Sequence, residues 1–100
     1  MAREAEGISR NYLDSRLKDL EKKTEEIEKF ANVCFLPRVA QEAMSFGEMK
    51  KSFYEDLRKI RGKIPEKELR YFYQKVIELT HRADRAIMET FRECNYSKKG

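Results

Sequence analysis

From Leu13 to Cys34 the chain reads LDSRLKDLEKKTEEIEKFANVC, and within it Leu13, Leu17, Leu20, Thr24, Ile27, Ala31 and Cys34 step by alternating fours and threes. That period lays one narrow apolar stripe along a helix, of the kind that is buried against other helices. A second stretch, 69–94, repeats the pattern with Leu69, Tyr73, Val76, Thr80, Ala83, Ile87, Thr90 and Cys94. No segment shows the two-residue alternation of a half-buried strand, so the two ladders predict an all-α fold.

Outward from the ladders, the scarce prolines and glycines mark the boundaries. Pro37 restricts the residue before it and donates no amide, which predicts a first helix over about 8–34. Gly62 suits the position just past a helix end and Pro65 the start of the next, so the last helix is predicted over 65–94, ~45 Å long. Residues 95–100 bury nothing and are expected to fray.

The middle segment carries a weaker ladder of Val39, Ala43, Phe46, Phe53, Leu57 and Ile60, with Lys50 where an apolar residue is due and Met49 beside it to fill the gap. Gly47 costs ~1 kcal/mol inside a helix, and Ser45 with Glu48 has the spacing of a capping box. Two versions therefore stand: one helix over 38–61, or a break near Ser45.

Three long segments with short connections predict an up-down-up three-helix bundle in a single domain, the first and third helices parallel. Its expected core includes Leu17, Leu20, Ile27, Phe53, Leu57, Val76, Ala83 and Ile87. The cysteines act as a ruler. An unbroken middle helix of ~36 Å returns the chain to the start of helix one and brings Cys94 level with Cys34, whereas a break leaves them apart. The level arrangement is the favoured one, with both thiols expected reduced in the cytoplasm.

Composition narrows the function classes. The 100 residues are 40% hydrophobic and 40% charged, with 22 Lys and Arg against 18 Asp and Glu. Mean hydropathy is -0.85. Balanced charge, 11% aromatics and periodic apolar positions fit a thin, folded, highly charged bundle rather than a disordered chain, and such charge also suits a thermophilic source. The amino terminus has no apolar signal core and no run is long enough to span a membrane, so a cytoplasmic protein is expected. Two cysteines and the single His81 offer no zinc-type spacing, and no cofactor or metal is expected.

The most suggestive functional feature is electrostatic. Over 58–70 the chain holds Arg58, Lys59, Arg61, Lys63, Lys67 and Arg70 against only Glu66 and Glu68, a net charge that equals the +4 of the whole molecule. In the predicted topology this turn shares an end with Arg3 and Arg10. Tyr71 and Gln74 follow Lys67 one and two turns along, so an aromatic ring and an amide stand beside cations, as phosphate contact plus base stacking requires. Solubilising charge at a helix end is the plainer account of the same residues.

Other charged faces read as solvated. Glu78 with Arg82 and Arg85 with Glu89 have the four-residue spacing of pairs along one helix, and the Lys and Glu residues of helix one behave alike. His81, three residues from both Glu78 and Asp84, permits acid-base chemistry but resembles an ordinary surface histidine. The all-helical chorismate mutases share the helix count, and Arg16, Lys50 and Arg58 are available as cations, yet helix one lacks the Arg-x-x-Ile-Asp run of that family. The reading favoured by these residues is a non-catalytic interaction or assembly module, binding a protein partner or a second copy. Nucleic-acid binding at 58–70 is the alternative, and a small helical enzyme the remaining one.

Overall fold

The computed structural model describes residues 9–99, with side chains described for 9–94. Three helices follow in order: α1 (Arg10–Asn32), α2 (Leu36–Lys59) and α3 (Glu66–Lys99). They form an all-α bundle of 58 × 21 × 16 Å. No strand occurs among the described residues. Ion pairs fix the topology: Arg10 of α1 meets Glu68 of α3, and Arg16 of α1 meets Asp56 near the end of α2. The starts of α1 and α3 therefore share an end with the finish of α2, as up-down-up requires.

Each boundary has a local cause. Ser9 caps α1, its hydroxyl accepting from the Tyr12 amide at 3.1 Å. At the other end the Phe35 amide donates to the Phe30 carbonyl and the Cys34 amide to that of Ala31, with Cys34 in the left-handed region at φ 56°. That is a Schellman turn, completed by the edge-on contact of Phe30 and Phe35 at 5.9 Å. The turn occupies Val33 to Phe35, so α1 stops two residues short of Cys34, and α2 starts at Leu36 with Pro37 in its first turn, where a missing amide costs nothing. Gly62, at φ 87°, makes the α2–α3 turn. α3 extends past Cys94 to Lys99, into the segment expected to fray.

The middle helix is unbroken. Ser45 caps nothing, its hydroxyl lying 4.0 Å from the Met49 sulfur, and Gly47 lies within the helix. Met49 packs against the core while Lys50 lies over the Phe46 ring, so the gap in the ladder is closed from both sides. The ruler reads as the unbroken version demands, with the Cα atoms of Cys34 and Cys94 5.7 Å apart. The two sulfurs are bonded, which corrects the expectation of free thiols, and Cys34 lies in an exposed turn rather than on a helical ladder.

α1 packs against both other helices more extensively than α2 packs against α3. The core holds Leu13, Leu20, Ile27, Phe46, Phe53, Leu57, Ile60, Phe72, Val76 and Ala83 among others. Leu17 and Ile87, expected inside, are only half-buried at its edge. Threonines on the ladders satisfy their hydroxyls within their own helix: Thr24 donates to the Leu20 carbonyl at 3.0 Å and Thr90 to that of Ala86 at 2.7 Å. Glu42, beside Ala43 of the α2 ladder, is buried as well, its carboxylate taking Lys23 at 2.6 Å and Arg38 at 3.2 Å.

Candidate functional site

The 58–70 end is built from the close of α2, the turn and the opening of α3. Ile60 is buried and Ile64 packs against the core, so the intervening Arg61 and Lys63 are left outside. The Lys63 amide closes the turn on the Ile60 carbonyl at 2.8 Å. Arg58, Lys59, Lys67 and Arg70 are exposed around it. Among the described residues none of these six cations has a carboxylate within ion-pairing distance.

Part of the reason lies in α1. Arg16 holds Asp56 at 3.2 Å while also donating to Ser52 at 2.9 Å, and Tyr12 donates to the same Asp56 carboxylate. Arg10 takes Glu68 at 3.1 Å. Two nearby acids are thus engaged by arginines from another helix, which leaves the six cations less compensated than their sequence neighbourhood implies. Tyr71 is 49% exposed, its ring edge-on to Phe72 with the Lys75 ammonium 5.7 Å from its centre. Gln74 is exposed one turn further along. Arg3 lies outside the described residues.

The other candidates do not converge. His81 and Asp84 are exposed and share an open depression with Arg85, Met88, Glu89 and Arg92. Arg16 is engaged by Asp56, Lys50 lies over Phe46, and Arg58 is exposed at the tip, so the three cations weighed for an enzyme site occupy separate settings. Arg82 does not pair with Glu78 as its spacing suggests. It reaches across to α1 and forks onto Glu28 with contacts of 2.7 and 3.1 Å, in a cleft of about 390 Å³ beside the disulfide. Glu78 takes Lys75 instead at 3.8 Å.

The sequence reading missed the α2–α3 face. An apolar cleft of about 180 Å³ runs between Leu36, Val39, Ala40 and Ala43 on α2 and Ile87, Thr90 and Phe91 on α3. Phe91 is 60% exposed and Met44 70%. Neither Phe91 nor Ile77 falls on the expected ladder of the last helix, and both are turned largely to solvent.

No described helix is long and apolar enough to cross a membrane. Fold and surfaces together define a small, elongated helical-bundle protein with one basic end and an apolar cleft between α2 and α3. Comparison with protein-family models, curated proteins and solved structures finds no match.

Proposed function

We propose that this chain is a non-catalytic assembly module that pairs with a second copy of itself through the open α2–α3 face. The observation that carries the reading is where the apolar surface lies. The heptad ladders are largely taken up by the chain's own core, yet Phe91, which lines the apolar cleft, is 60% exposed, and Met44, next in sequence to its Ala43, is 70% exposed. On α3, Ile77, Asp84, Met88 and Phe91 keep heptad spacing, and on α2 Ala40, Met44 and Gly47 do the same.

A second copy is the occupant favoured because a two-fold pairing covers both grooves at once and completes a four-helix layer. An antiparallel pairing also sends the two basic tips to opposite ends. The face from Leu36 to Tyr54 is ~27 Å long, and two such faces bury on the order of 800 Å², the range of weak, transient contacts. Cytoplasmic residence belongs to the same proposal; a retained disulfide there fits a hyperthermophilic setting, which the charge density also suits.

Sedimentation of the intact chain from about 10 µM to 1 mM tests the pairing. The expected result is a reversible monomer–dimer equilibrium, abolished in a Met44→Glu, Phe91→Glu double variant that keeps its helical signal. A monomer throughout, or a variant that dimerises as well as the parent, overturns it.

A further inference from the structure

We propose that the α2–α3 turn end binds nucleic acid through its phosphate backbone. This site is separate from the pairing face and stands whether or not the chain dimerises. Arg58, Lys59, Arg61, Lys63, Lys67 and Arg70 are all exposed, and among the described residues they lack ion-pair partners. Ile60 and Ile64 hold the turn against the core, so the cations stand on a firm base rather than on a loose loop.

Chemistry selects the ligand. The six exposed cations offer up to six phosphate contacts, one each. The exposed ring of Tyr71 provides what an unpaired base requires, a stacking partner beside cations. An anionic membrane offers the same charge, but the exposed residues of the turn, Arg61, Gly62 and Lys63, include no large apolar side chain to insert into it.

The test is a fluorescence-anisotropy titration of the full chain with labelled 20-nucleotide DNA and RNA, single-stranded and duplex, from 25 to 200 mM NaCl. Six phosphate contacts give a log–log salt slope of about -5 on duplex and about -4 on single strands, so duplex affinity falls roughly a thousandfold between 50 and 200 mM. Arg61→Glu with Lys63→Glu is expected to flatten the slope by about 2 and weaken binding to every sequence. Tyr71→Ala is expected to weaken the single-stranded arm about tenfold and leave the duplex arm unchanged.

Arg85→Glu with Arg92→Glu makes the same change in net charge away from the tip and is expected to leave the slope alone. Equal losses in the two charge-reversal variants would show bulk charge at work and overturn the site. So would absence of binding at 25 mM, or tighter binding to phosphatidylserine vesicles or polyglutamate at matched charge.

Discussion

Cys34 occupies a backbone position where glycine is usual. At φ 56° a side chain meets its own carbonyl, a cost of roughly 1 kcal/mol that glycine escapes. The Schellman turn still forms because the bond to Cys94 and the Phe30–Phe35 contact hold it. The two effects separate by mutation. In a Cys94→Ser background, where no disulfide exists, Cys34→Gly is expected to be about 1 kcal/mol more stable than Cys34→Ala, read as the difference in urea midpoints. In the parent chain, reduction releases a cross-link between residues 60 apart and is expected to cost about 4 kcal/mol. A melting temperature that a reductant leaves unchanged would refute that figure.

Glu42 sets the acid response. The hydrogen bond from Lys23 is the main cause that holds its carboxyl below the ordinary range, against the opposing effect of burial, and the same contact raises Lys23. A depressed folded pKa contributes stability above the unfolded value of 4.5 that is lost as pH falls through the folded one. Lys23 acts in the opposite sense, contributing below 10.5 and losing its share as pH rises through its raised folded pKa. Glu42→Gln is therefore expected to lose about 1 to 3 kcal/mol at pH 7 and to flatten the acid limb below pH 4.5. Denaturant melts at pH 3, 5 and 7 check it, and parallel pH profiles for variant and parent would contradict it.

Among the elements, α3 shows how far the pattern alone could be read. Its expected ladder and its buried set share Leu69, Val76, Ala83, Thr90 and Cys94, but the positions between differ: Phe72, Leu79 and Ala86 are buried where Tyr73, Thr80 and Ile87 were expected. A helix with two neighbours has an apolar stripe wider than one seam, and periodicity does not say which edge lies deeper. Here Leu79 and Ala86 border clefts shared with α1, whereas Tyr73 stacks on Tyr54 of α2 and Ile87 lines the α2 groove. The closer α1 packing buries the first edge. Leu20→Ala is accordingly expected to cost about 2 to 5 kcal/mol, and the half-buried Ile87→Ala less. The basic tip was legible because charge counts need no orientation. The role of Arg10 and Arg16 in engaging its acids was not, since those contacts join residues 58 and 40 apart.

Gly47 belongs to the same scale. A side chain there would meet nothing within 4 Å, and the helix does not need a positive φ at that point. Gly47→Ala is therefore expected to stabilise the monomer by about 1 kcal/mol. If α2 approaches a second copy at this point, the same change weakens pairing, so a variant that is more stable but less dimeric supports the proposed face. One that is more stable and equally dimeric moves the contact elsewhere.

At the scale of the whole molecule, shape distinguishes the ways two copies can meet. The radius of gyration of 16.2 Å exceeds the roughly 13 Å of a spherical domain of this length, because the three helices lie side by side along a 58 Å axis. Two rods laid flank to flank on their α2–α3 faces add only their 16 to 21 Å thickness, which raises the radius of gyration to about 19 Å. Two rods joined end to end, through the basic tips or the disulfide ends, exceed about 30 Å. Like charges oppose the tip-to-tip join, and their repulsion fades with salt, whereas apolar burial does not. Small-angle scattering over a concentration series is thus expected to show mass doubling with a radius near 19 Å, held from 50 to 500 mM salt. A radius above 30 Å at doubled mass would place the contact at the ends and remove the α2–α3 face from the account.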